Sequence, residues 1–259
     1  MYPQPDSSPI QTLKKSRLRG PTQVNQSLRD GLEILLELAK WQRPVGSREI
    51  ARVLEWDHAR VHRFLTTLVD SGFAEQSSDR KYMAGPGLTV MATMALHNSR
   101  VFHSALPHLQ ELSSRTGYPV SLGVRWRRHV CYLYHGNVTD DLGMAIAPDN
   151  LYPAERSSIG LALLSRLHDE DIRKLYADQK KTSNAISIHE LMDRIYQTRK
   201  QGYGMNVRFE SVAVPLDETS ETAISVYGLN EQLLQEKKAL LVQELRRTAS
   251  KIGQQIELY

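Results

Sequence analysis

The chain has 259 residues, enough for two buried cores, and its 41% apolar and 24% charged residues are ordinary for a water-soluble globular protein. The net charge of +4 is placed unevenly: residues 1–84 hold 13 Lys and Arg against 10 Asp and Glu, so the excess falls in the N-terminal third, where a polyanion would be met. The single cysteine, Cys131, excludes an intramolecular disulfide framework and points to a reducing, cytoplasmic compartment, and the longest apolar run, residues 88–96, is far below the roughly 20 residues that cross a bilayer.

Residues 1–24 are rich in Pro, Ser and Gln, carry Lys14, Lys15, Arg17 and Arg19, and lack a hydrophobic leader core. They read as a disordered basic tail. Gln26–Lys40 is predicted helical, capped by Ser27, with Leu28, Leu32, Leu35 and Leu38 at helical spacing. Pro44-Val45-Gly46 breaks the chain and leaves room for a short strand. Residues 47–72 then read as two short helices joined by a tight corner. Ser47 is a candidate cap for the first, whose inner stripe is Ile50, Val53 and Leu54, and Glu55-Trp56-Asp57 makes the turn. Asp57 can cap the second helix and Gly72 suits its left-handed end. Val61, Phe64, Leu65, Leu68 and Val69 form one apolar stripe. The opposite face gathers His58, Arg60, His62, Arg63, Thr66 and Thr67, donors placed where a major-groove helix meets base edges. Two short strands around Ser77-Ser78-Asp79-Arg80 follow, a hairpin whose Arg80 and Lys81 suit phosphate or minor groove.

Residues 47–87 resemble the winged helix-turn-helix of the IclR family of bacterial transcriptional regulators. The likeness rests on Ser47-Arg48-Glu49-Ile50-Ala51, on Val61-His62-Arg63-Phe64-Leu65-Thr66-Thr67-Leu68 and on Gly72-Phe73. Where family members usually have Ser-Thr at the start of the second helix, this chain has Ala59-Arg60. Arg60 offers a bidentate fork for guanine, so Arg60, His58 and Arg63 are the expected groove contacts. Ser47, Arg48, Ala59, His62 and Thr66 complete the expected DNA face, with Arg80 and Lys81 on the wing.

Beyond Gly85-Pro86-Gly87 the pattern changes. Residues 88–98 are helical, with Leu88, Met91, Met94 and Ala95 as a seam that a second subunit would cover, and residues 105–116 form another helix. Val120–Trp126 and residues 130–135 read as an antiparallel hairpin, and residues 144–147 as a third strand. Residues 157–167 are helical with Ile159, Ala162 and Leu163 inward. Ser187-Ile188-His189-Glu190 is a capping box, Ser211–Pro215 and residues 222–227 are strands, and Asn230 caps a long last helix carrying Leu233, Leu240, Leu241 and Leu245. The mixture predicts an α+β fold: residues 25–86 a winged helix-turn-helix, 87–104 a linker helix, and 105–259 a domain with an antiparallel sheet and packed helices. The resemblance implies the same, a GAF-like effector-binding domain.

A helix start with two hydroxyls and a glycine, Ser157, Ser158 and Gly160, can approach a carboxylate. The resemblance implies that this helix lines an effector cavity, with Ser211 (usually Cys in the family) and Ser225 from the sheet and Leu142, Met144 and Ile146 as apolar walls. Tyr227 joins this set, and Trp126, Tyr132, Tyr134 and His135 favour an aromatic acid where they point inward. The segment between Tyr203 and Val212 is shorter than the family's, which bears on the cavity's lid. The expected ligand is a small aromatic or aliphatic carboxylic acid. The expected partners are a double-stranded operator with two-fold related half-sites, a second or third and fourth copy of the chain as homodimer or homotetramer, and RNA polymerase as a further contact. No membrane, cofactor or metal is expected.

An enzyme would need a nucleophile or metal constellation. Neither a G-x-S-x-G elbow nor a phosphate-cradling glycine loop is present, Cys131 falls mid-strand, and His58 and His62 have neither a third ligand nor a glutamate between them. A second alternative keeps the DNA reader and gives the C-terminal half only a dimerising or polymerase-contacting role.

Overall fold

The computed structural model describes residues 24–136, 151–177, 186–206, 210–217 and 221–257. The chain forms two compact units, Met1–Met91 and Ala92–Tyr259. The division falls inside a helix.

The first unit opens with α1 (Gln26–Lys40), followed by β1 (Val45–Gly46), α2 (Ser47–Leu54), α3 (His58–Asp70), β2 (Ala74–Gln76) and β3 (Lys81–Ala84). The three strands form an antiparallel sheet in the order β1-β3-β2, so the short strand before the helix pair does join the wing. Ile34, Leu38, Val45, Ile50, Val61, Leu65 and Tyr82 make the core, each large apolar side chain there contributing about 1.5–3 kcal/mol by leaving water. Asp57 caps α3, its Oδ1 accepting from the Arg60 amide at 3.0 Å, and Gly72 at φ +75° ends it, as expected. Three details differ. Asn25, not Ser27, caps α1. Leu28 and Leu32 lie outside, 63% and 58% exposed, because the inner face of α1 runs through Asp30, Ile34, Glu37 and Leu38. In α2, Val53 is 46% exposed and Ala51 takes the inner position.

Helix α4 (Pro86–His97) spans the division, with Pro86 in the first turn where its missing N–H is harmless. The second unit continues with α5 (Arg100–Thr116), β4 (Val120–Trp126), β5 (His129–Gly136), β6 (Tyr152–Pro153), a 3-10 turn (Ala154–Arg156), α6 (Ser158–Leu164), α7 (Asp169–Tyr176), α8 (Ile188–Gln201), β7 (Gly204–Asn206), β8 (Ser211–Pro215), β9 (Thr222–Val226) and α9 (Glu231–Glu257). Helix α5 starts five residues before the expected position because Ser99 caps it and Pro107 is accommodated inside. The sheet is antiparallel in the order β6-β5-β4-β9-β8-β7. One face, through Val120, Leu122, Val212, Val214, Ile224 and Val226, packs on α5 and α9. The other, through Val130, Ala213 and Ala223, packs on α6, which is buried along its whole length and backed by α7 and α8. The result is the expected α+β domain.

Candidate functional site

Two places bring the sequence-predicted residues together, one in each unit.

On α3, His58, Ala59, His62, Arg63 and Thr66 form one exposed face of the helix, with Arg48 exposed on α2. Arg63 makes no ion pair among the described residues, and the Thr66 hydroxyl donates to the His62 carbonyl at 3.0 Å. Ser47 is not the cap of α2: Gly46 holds that position, and the Ser47 hydroxyl instead meets His58 Nε2 at 2.9 Å across the corner. That bond fixes the imidazole at the N-terminus of α3. Arg60 also departs from expectation. Its guanidinium forms an ion pair with Asp30 of α1 and stacks on Trp56, 4.4 Å from the ring centre. Arg60 lies on the side of the helix that faces α1, so the fork expected to read guanine is already occupied. The Asp30 carboxyl is held below the usual carboxylate range, chiefly by its hydrogen bond from Arg60. On the wing, Lys81 pairs with Asp79 at 2.6 Å and Arg80 stands exposed at φ +58°.

In the second unit, pairing register decides which side chains share a face. Ser121 pairs with His135 on one side and Ser225 on the other, and Ser225 with Ala213, so Ser121, His135, Ser225 and Ser211 all point toward α6. Tyr227, two residues past Ser225, joins them, its ring stacked on His135 at 4.0 Å and 12°. A bulge between Leu122 and Gly123 adds Tyr132 to the same face, edge-on to His135 at 5.3 Å. The α6 end of the cluster is knitted by hydroxyls: Ser157 Oγ meets Tyr132 Oη at 2.9 Å and caps the Gly160 amide at 3.2 Å, and Ser211 Oγ donates to Ser158 Oγ at 2.9 Å. Ser121 Oγ meets His135 Nδ1 at 2.7 Å. Burial pushes the His135 imidazole below its ordinary value, which favours its neutral form.

The expected residues Ser157, Ser158, Ser211, Ser225 and Tyr227 therefore converge, joined by Ser121, which no sequence signal singled out. Tyr134 is on the opposite face in the hydrophobic core, and Trp126 is at the hairpin end, 40% exposed under Arg127. At Gly160 a Cβ would lie 2.0 Å from the Ala154 carbonyl oxygen, so the glycine is needed for packing against the 3-10 turn. Leu142, Met144 and Ile146, the strand at 144–147 and part of the short segment before Ser211 lie outside the described residues.

A winged helix-turn-helix carried in one chain with an α+β domain whose sheet holds a polar cluster defines a one-chain transcriptional regulator. The family models specify it further. Residues 27–78 match the IclR helix-turn-helix domain and residues 93–254 match the bacterial transcriptional regulator IclR C-terminal domain, so the chain belongs to the IclR family, with a DNA-binding and an effector-binding domain. It is a regulator and not an enzyme. Over 212 residues it is 26% identical to the glycerol operon regulatory protein of Streptomyces coelicolor, covering 79% of this chain and 84% of that one. Among solved structures, an IclR family transcriptional regulator from Brucella abortus superposes with a TM-score of 0.76 at 23% identity, covering 90% of this chain and 93% of that one. An IclR homologue from Microbacterium hydrocarbonoxydans complexed with 4-hydroxybenzoate superposes with a TM-score of 0.63 at 21% identity, covering 90% and 100%. At these identities the structural likeness is one of fold. Among the described residues no helix is long and apolar enough to cross a membrane.

Proposed function

We propose that the protein, working as a homodimer or homotetramer in the cytoplasm, binds an operator with two-fold related half-sites and releases or grips it when a small aromatic carboxylic acid binds the second unit. His58, Ala59, His62 and Arg63 face base edges, and Ser47, Arg48 and Thr66 lie beside phosphates. Arg80 and Lys81 hold the wing to the backbone. The observation that carries the sensing half is the convergence of Tyr132, His135 and Tyr227 with the hydroxyls of Ser121, Ser211 and Ser225 on one sheet face and of Ser157 and Ser158 at the start of α6. Arg125, at the hairpin end of the same face, is paired with Glu221, so at the cluster itself a carboxylate would be met by hydroxyls and by His135 Nε2–H, with the Ser121 hydroxyl donating to Nδ1. The flat rings suit an aromatic body, and a homologue of the same fold is complexed with 4-hydroxybenzoate.

One observation favours a second reading, in which this domain is a scaffold for assembly or for RNA polymerase. Ser158 with Ser211, and Ser157 with Tyr132, already satisfy each other. A single experiment separates the two: select bound duplexes from a random pool at fixed salt, then repeat binding and thermal unfolding with a panel of aromatic and aliphatic acids. Sensing predicts a two-fold consensus whose affinity one acid changes, with that acid raising the melting temperature, since a ligand at 100 times its Kd adds about 2.7 kcal/mol. A panel that leaves both affinity and melting unchanged supports the scaffold.

A further inference from the structure

The DNA-reading proposal leaves open what fixes the recognition helix in place, and Arg60 supplies an answer at odds with its apparent chemistry. We propose that Arg60 is a positioning residue: clamped between Asp30 and Trp56, its guanidinium sets how α3 lies on α1, and base reading belongs to its neighbours His58, Ala59, His62 and Arg63. This rests on the DNA-binding reading of α3.

Four observations converge on residue 60. Its side chain is 36% exposed, while the Asp30 carboxylate it pairs with is 5% exposed. The second Asp30 oxygen accepts from Gln26 Nε2 at 2.8 Å, so the carboxylate is built into α1 and not a chance surface partner. The guanidinium lies 4.4 Å from the centre of the Trp56 ring, which belongs to the corner between α2 and α3. The Arg60 backbone amide is tied to the Asp57 cap at 3.0 Å. Through this one residue, α1, the corner and the start of α3 are joined.

Reaching a guanine would require Arg60 to abandon a buried carboxylate and the hydrogen bond that chiefly holds it ionised. The Asp30 charge also cancels that of Arg60, so the pair brings no net positive charge to the phosphates. Both points separate a positioning arginine from a reading or phosphate-binding one. A reader relaxes preference at one base pair when removed, by roughly 5- to 150-fold. A phosphate contact lowers the slope of log affinity against log salt by about 0.9. A positioning residue does neither.

The test uses the full chain and the duplex consensus obtained from a random pool, with Arg60→Ala, Asp30→Ala, the double variant and Arg60→Lys, at a temperature where circular dichroism shows each folded. Asp30 is too buried to touch DNA, and the Arg60 it would release could only strengthen phosphate binding, so a loss of affinity in Asp30→Ala reports positioning. The expected result is that each single variant loses about tenfold in affinity, that the double variant loses no more than the singles, that Arg60→Lys regains part of it, and that base preference and salt slope in Arg60→Ala and in the double variant stay those of the parent. Should the singles fail to fold, Asp30→Leu with Arg60→Met keeps the contact without charges, and the same unchanged preference and slope are expected. Relaxed preference at one base pair in Arg60→Ala, with Asp30→Ala at parental affinity, overturns the proposal and makes Arg60 a reader. Parental affinity in every variant overturns it too. A parent chain that enriches no duplex removes the DNA-binding reading itself, a failure distinct from these.

Discussion

Arg80 adopts φ +58° at the wing tip, a left-handed conformation that costs a residue with a Cβ about 1 kcal/mol or more. Glycine would relax that strain but loses more freedom on folding, so the two effects nearly cancel. Arg80→Gly is therefore expected to leave stability within about 0.5 kcal/mol while lowering operator affinity for all sequences alike and reducing the salt slope by about 0.9. Urea unfolding and binding at several salt concentrations check the two halves separately. His135 lends itself to a pH test. Its folded pKa is lowered by burial, so as pH falls the unfolded chain takes up the proton first. Its contribution to stability is intact above the ordinary histidine value of about 6.5 and is lost as pH falls below it. Unfolding followed from about pH 8 to 5 should show that acid-side decline, and His135→Gln should flatten it. The same residue shows why part of the site was illegible in sequence. Simple alternation would put Tyr132 with Tyr134, but the bulge between Leu122 and Gly123 changes the parity, so Tyr132 joins His135 and Tyr134 goes to the core. Arg60 was opaque for another reason: its partner Asp30 is thirty positions earlier, and no local spacing announces that pair.

At the scale of elements, α6 is the piece the effector-binding domain is built around. Its seven residues are all buried, with the Ala154 carbonyl of the 3-10 turn on one side and Gly204 of β7 close against Ser158 and Ala162 on another. Gly160→Ala forces a Cβ to 2.0 Å from the Ala154 oxygen, so it should destabilise this domain by about 1–3 kcal/mol or more. Gly253→Ala in α9 is the matched control: its Cβ meets nothing within 4 Å and should stabilise by about 0.5–1 kcal/mol. Chemical unfolding of the two variants should move the midpoint in opposite directions. Elements with clear caps and one-sided stripes were legible from the sequence: α3 between Asp57 and Gly72, the start of α8 at Ser187, and the β2–β3 wing. Those that sequence reading missed are short or lack a period. β6 has two residues and β7 three, and α7 has eight with only Ile172 and Tyr176 inward. In α1 the leucines carried the visible pattern, yet Leu28 and Leu32 face out because Asp30, bound by Arg60, occupies the inner row.

For the whole molecule, α4 is the element whose burial a single chain leaves undone. No residue of this helix is buried, and Val90, Met91 and Met94 are 57%, 52% and 60% exposed. An apolar helix left open in this way suits the subunit contact of the proposed homodimer, because reading the proposed two-fold related half-sites takes a second copy to present the second α3. A self-complementary contact of α4 with its symmetry mate would bury Met side chains that adapt readily to each other's shape. Two aspartates there would put like charges face to face across the axis. The double variant Met91→Asp and Met94→Asp is thus expected to sediment as a smaller species than the parent and to lose about a hundredfold or more in affinity for the full operator, because the second half-site is no longer bound at high effective concentration. Its affinity for an isolated half-site should match the parent's, since both methionines lie outside the α1–α3 core. Sedimentation unchanged from the parent would place the subunit contact elsewhere than α4, and equal loss on full and half operators would mean that the substitutions had damaged the reader itself.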